Sequence, residues 1–146
     1  MLCYRADEPP ALVERQQRLW QPLLDWAATQ HGASLVVVRG LSFVEQPADA
    51  VARLADAVAA HTDLALSALY NLTHIAGSLV VALAVSEGRL TAEDAFAAAQ
   101  LDELYQIERW GADPIATKRH EGIRADIAAT ARFLALLGSH RQKGRT

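Results

Sequence analysis

With 146 residues, 51 % of them apolar and only 6 % aromatic, the chain is long enough for a sizeable core, and its many alanines suit close-packed helices better than a sheet sandwich. The single cysteine, Cys3, excludes an intrachain disulfide framework and suits a reducing compartment. The net charge of −3 is unevenly spread, with seven basic and fourteen acidic side chains in residues 1–110 against seven basic and three acidic in residues 111–146, a contrast too diffuse to indicate nucleic-acid binding.

In chain order, Pro9-Pro10 ends an extended lead-in and opens a helix to about Trp20. Pro22 then either kinks that helix or starts another, which carries Leu23, Leu24, Trp26 and Ala27 to a stop at Gly32. Ser34 to Arg39 holds Leu35-Val36-Val37-Val38 between turn signals and reads as the one convincing strand. A lone strand cannot satisfy its own backbone, so it must pair with Leu41 to Val44, with another part of the chain, or with something missing. Pro47 begins a helix with Val51, Leu54, Ala55 and Val58 at helical spacing, and a break near His61-Thr62 follows.

Leu64 to Ser86 contains no Asp, Glu, Lys or Arg and is long enough for a membrane span. Ser67, Asn71, Thr73, His74 and Ser78 would be costly against lipid, so the run predicts one helix, N-capped by Asp63, buried on most sides of a soluble bundle. Arg5, Asp7 and Glu8 come too early for a signal-peptide h-region. After Gly88, Thr91 caps a helix from Ala92 to Trp110, with Glu93 and Asp94 in its first turn, and Gly111 ends it. Asp113-Pro114 supplies an N-cap and Pro at N1 for a final helix to Gly138, leaving a small basic tail, 139–146, expected to be disordered. The sequence therefore predicts a mainly α protein: one compact helical domain over 1–138, with five or six helices and one short β element around Ser34 to Val44.

At 100° per residue the predicted helix Ala92–Trp110 places Ala97, Ala98, Leu101, Leu104 and Tyr105 on one arc, and Asp102, Glu103, Gln106, Arg109 and Trp110 opposite. An outward face with acid beside aromatics serves equally as a partner anchor or as a solvated face whose Trp folds back over the helix end. Glu108 falls within the apolar arc, which predicts an ion pair with Arg124 or Arg119, or a frayed end, ahead of a functional acid. The five histidines form neither HExxH nor ExxH; His74 and His120 read as satisfied core residues, and Cys3 as packing. No dinucleotide fingerprint, P-loop or nucleophile elbow appears, and the expectation is no metal, no cofactor and no catalytic residue.

GSLVVALAVSEG, followed by LTAEDAFAAAQLDELYQIERWG, resembles the assembly-chaperone family that guards the α subunit of the F-type ATP synthase catalytic head, the ATP-twelve chaperone family. The opening LCYRADEPPALVERQQRLWQPLLDWA matches the same pattern, so the similarity covers nearly the whole chain. Family members usually carry an N-terminal β-rich domain before the LCYRA segment, so the expectation is a helical C-terminal-type domain with that β-rich domain absent; they often follow WG with an acidic residue where this chain has Ala112. The resemblance implies an ATP-independent chaperone that binds the unassembled α subunit until the β subunit replaces it. Glu103, Asp102, Gln106, Trp110 and Glu108 are then the expected partner-binding residues. Two other classes stay open: a small helical enzyme using separated residues such as Asp25, Glu103 and His120, and a structural domain that packs on a missing half. Neither nucleic acid nor stable membrane insertion is expected, whereas self-association through the unpaired strand and Leu2–Tyr4 is. The expected location is the bacterial cytoplasm, with the mitochondrial matrix as the alternative.

Overall fold

The computed structural model describes residues 1–40 and 42–143, and side chains as far as Gly138. The chain divides into two compact units, Met1–Ala60 and His61–Thr146. In the first, β1 (Tyr4–Arg5) precedes α1 (Pro10–His31), β2 (Val38–Arg39) and α2 (Ala48–Ala59). The second holds α3 (Asp63–Ala76), α4 (Leu79–Ser86), α5 (Ala92–Ala99), α6 (Leu101–Trp110) and α7 (Pro114–Lys143). The fold is mainly α, with seven helices among the described residues and one two-stranded sheet.

In the first unit α1 passes through Pro22 without stopping. Leu12, Gln16, Trp20, Leu23, Leu24 and Ala27 keep helical spacing across it and are all buried. Pro22 is exposed, and so is Arg18, the residue whose carbonyl loses its helical donor to the proline. Gly32, at φ 69°, ends α1: its N–H reaches the Ala28 carbonyl at 3.0 Å and the Ala33 N–H reaches Ala27 at 3.2 Å. The predicted strand shrinks to β2, which pairs in parallel with β1, Tyr4 opposite Val38 and Arg5 opposite Arg39. Its partner is thus the lead-in rather than Leu41–Val44. Buried Gln16 accepts the Ala6 N–H at 2.8 Å, fixing that lead-in on α1.

In the second unit α4 is buried at every position from Val80 to Val85 and packs against α3, α5 and α7, as a segment hydrophobic all round must. The uncharged run is nevertheless two helices, not one. Gly77, at φ 68°, takes a left-handed conformation, and Ser78 starts a new N-terminus by accepting the Val81 N–H at 3.4 Å. Only the α4 half is buried on nearly all sides, since Leu64 is 62 % and Tyr70 68 % exposed on α3. Thr62, not Asp63, caps α3. Thr91 caps α5 and Asp113 caps the start of α7, its carboxylate accepting the Ala116 N–H at 2.8 Å.

The helix predicted over Ala92–Trp110 also divides, at Gln100, into α5 and α6. The helix predicted to stop at Gly138 runs on to Lys143, so part of the expected tail is helical; residues 144–146 lie outside the described residues. No helix among the described residues is long and apolar enough to cross a membrane.

A Cβ at Gly77 would meet nothing within 4 Å, so any cost of Gly77→Ala is conformational alone. The left-handed position should cost about 1–2 kcal/mol for an L residue. Thermal denaturation is expected to show a drop of a few degrees.

Candidate partner-binding surface

The break at Gln100 gives α6 its own orientation. Leu101 and Tyr105 point into the core, while Asp102, Glu103, Gln106, Glu108, Arg109 and Trp110 are exposed. After Tyr105 no residue is buried until His120, so the last turn of α6 and the first of α7 form an arm without a core side. Trp110, 83 % exposed, stands before the Gly111–Asp113 connection and Ile115, 82 % exposed, just after it. The alternative of a tryptophan folded back over the helix end does not describe this residue. A side chain of that size left in water is what the centre of a protein interface requires.

Glu103 departs from the sequence expectation of a residue facing only solvent. Its Oε2 is ion-paired with Arg119 and lies 3.0 Å from His120 Nε2, tying α6 to α7. His120 is buried, as expected of a satisfied core histidine, and its ring meets Phe96 edge-on at 6.1 Å. Arg124 lies over the same Phe96, 4.6 Å from the ring centroid, and pairs with Glu93 at 3.4 Å. Of the two arginines foreseen for Glu108, Arg119 pairs with Glu103 and Arg124 with Glu93. Glu108 keeps helical phase with Leu101, Leu104 and Tyr105 but is exposed, because the last turn of α6 has no core beneath it.

Of the separated residues considered for an enzyme, Glu103 and His120 meet, whereas Asp25 belongs to the other unit, where it accepts from Gln21 Nε2 at 2.8 Å. His74 corrects a second expectation. It lies on the exposed side of α3, 5.1 Å from the Tyr70 ring, not in the core. Sequence reasoning also missed an open groove between α3 and α7, lined by Ala68, Tyr70, Ala129 and Phe133, with Asn71 Nδ2 donating to Thr130 Oγ1 at 3.2 Å. Only its spacing at 67, 70, 71 and 129, 130, 133 hinted at a shared seam. Burial raises the Cys3 thiol pKa, and among the described residues no three of His, Cys, Asp or Glu are grouped to hold a metal ion.

Fold and surface together define a mainly helical protein with an aromatic-bearing arm at a helix–helix turn. Over 92 % of its length the chain is 40 % identical to Atp12 from Paracoccus denitrificans, with a TM-score of 0.88, covering 58 % of that chain. An aspartate-to-lysine mutant of P. denitrificans Atp12p matches at 39 % identity and a TM-score of 0.89, over 92 % of this chain and 58 % of the mutant. The Atu1473 protein of Agrobacterium tumefaciens, described provisionally as a chaperone, is 41 % identical over 92 % of this chain and 50 % of its own, with a TM-score of 0.84. No family model matches the sequence. The chain belongs to the Atp12 family, and spans between 50 and 58 % of the length of these solved relatives.

Proposed function

We propose that this chain is the helical portion of an ATP-independent assembly chaperone, not an enzyme, whose client is the unassembled α subunit of the F-type ATP synthase catalytic head. The observation that carries this reading is the likeness to Atp12, 40 % identical across 92 % of the chain. A subunit awaiting its neighbour exposes apolar interface and aggregates through it. A chaperone that covers such a patch until the β subunit displaces it needs complementary shape and modest affinity, with no hydrolysis. The exposed arm supports the reading, since Trp110 and Ile115 offer apolar side chains to a partner and Asp102, Gln106 and Glu108 are exposed on the same helix as Trp110. On this reading Glu103, seven residues before Trp110 on α6, holds α6 to α7 while its exposed edge borders the client. The site of action is the compartment where the head is built, the bacterial cytoplasm or, for a mitochondrial homologue, the matrix.

The test is dilution of denatured α subunit into buffer with and without a molar equivalent of the chain, followed by light scattering without nucleotide. Suppressed scattering, reversed when β subunit is added, is the expected result. Undiminished scattering with this chain, and also with a full-length relative as the second arm, would sink the proposal.

A further inference from the structure

Along an extended chain successive backbone amides point to opposite edges. In the first unit the Val38 N–H donates to Cys3 O at 2.7 Å, on the β1 side. Two residues earlier, Val36 is also satisfied, by a side chain: its N–H donates to Gln46 Oε1 at 2.8 Å and its carbonyl accepts from Gln46 Nε2 at 3.0 Å. The Gln46 amide thus does for Val36 what a neighbouring strand would do. Between them Val37 has no backbone hydrogen-bond partner among the described residues, and the alternation turns its N–H and C=O, with those of Arg39, to the opposite edge.

That edge is apolar and cationic. Val36 and Val37 are each 39 % exposed, and Arg39 is exposed with no ion-pair partner among the described residues. In the sheet register Arg39 sits opposite Arg5, a like-charge pairing that cross-strand neighbours ordinarily avoid. Arg5 gains no carboxylate hydrogen bond in return: its guanidinium donates to Leu2 O, Gln17 Oε1 and Gln21 Oε1 and lies over the Trp20 ring. An unpaired edge with exposed valines and an uncompensated cation is complementary to a strand that brings its own backbone, β-branched side chains and one carboxylate.

We propose that the outer edge of β2, at Val37 and Arg39, accepts an extended strand of another polypeptide that alternates β-branched residues and places an acidic side chain opposite Arg39. This surface lies in a different unit from the α6–α7 arm and does not depend on the chaperone reading. Gln46 is a positioning residue, since it holds Val36 in line so that Val37 faces outward. Native proteins blunt such edges with lysine, proline or cover. Here the cover on the β1 side is a side chain, and among the described residues no backbone group pairs with Val37 on the far side.

The probe is a capped, fluorescein-labelled octapeptide of alternating valine and threonine with one central glutamate, beside versions with lysine or proline at that position. Fluorescence anisotropy against the whole chain is expected to show saturable binding of the glutamate peptide and about fivefold weaker binding of the lysine peptide. That ratio corresponds to about 1 kcal/mol for one cross-strand charge pair. The proline peptide should not bind. Arg39→Glu should reverse the preference, and because Arg39 is exposed this variant tests the edge without threatening the fold. Hydrogen exchange should show protection of the Val37 amide with the glutamate peptide, a similar protection by the lysine peptide only at about fivefold higher concentration, and none with the proline peptide. Equal affinity for the glutamate and lysine peptides overturns the proposal, as does absence of binding. So does protection of Val37 that grows with protein concentration alone, since the occupant would then be a second copy of the chain.

Discussion

Glu103→Lys is expected to lower the melting temperature by several degrees and to weaken client protection at the same time. The polar arc on which helical phase sets Glu103 would by itself predict a stability-neutral change. In the structure the carboxylate joins α6 to α7 through Arg119 and His120. A charge-assisted hydrogen bond contributes about 1.5–3 kcal/mol when shielded from water. Glu103 is 47 % exposed, so solvent screening brings the expectation down to about 1–2 kcal/mol. Lysine also sets a cation beside Arg119 where a carboxylate stood. Asp56→Lys, at an exposed position on α2, is the charge-matched control and should leave the melting temperature unchanged. The charge-swapped pair Glu103→Arg with Arg119→Glu should recover part of the lost stability, because the partners are in contact and couple. A Glu103→Lys protein that melts with wild type would show that the α6–α7 strut carries no stability in solution.

Residues that obey a local rule were legible in the sequence. Thr91, Asp113 and Pro114 mark helix starts because capping chemistry is contained within one turn, and Gly32 marks a stop because only a left-handed residue closes that helix end. Helical phase set Trp110 on the outward face but left open whether the indole folds back over the helix end, which depends on a rotamer and not on spacing. The break at Gln100 was hidden, because no Gly or Pro announces it and the apolar spacing stays in step across it; packing of α5 and α6 on their neighbours decides it. Gly77-Ser78 carried the signal of a break, since glycine followed by a capping serine is a stop and a start, yet the absence of charge on either side favoured one long helix. Glu103 was hidden for another reason: its partners are 16 and 17 residues away, and no periodicity argument reaches across a turn between two helices. A still longer separation in sequence, from Tyr4 to Val38, concealed the pairing of β2 with the lead-in.

Trp110→Ala is expected to do the reverse of Glu103→Lys, sparing the fold and removing the client. At 83 % exposure the indole buries little area within the chain, so its loss should change stability by no more than about 0.5 kcal/mol. Truncating a tryptophan at the centre of an interface typically costs 2 kcal/mol or more, about thirtyfold in affinity. Ile115→Ala, on the other side of the Gly111–Asp113 connection, should act in the same direction with a smaller effect, since it removes less apolar area. Three tryptophans are present; Trp20 is 2 % exposed and belongs to the core, so Trp110 dominates the solvent-exposed emission together with half-buried Trp26. Titration with an α subunit whose own tryptophans are replaced should therefore shift emission to shorter wavelength as Trp110 enters an apolar contact. The Trp110→Ala variant should lose that shift and, in the scattering assay, its protection, while circular dichroism and melting stay at wild-type values. Full protection by Trp110→Ala would move the client surface away from the α6–α7 arm, and a loss of protection accompanied by a lower melting temperature would make Trp110 a structural residue instead of a contact.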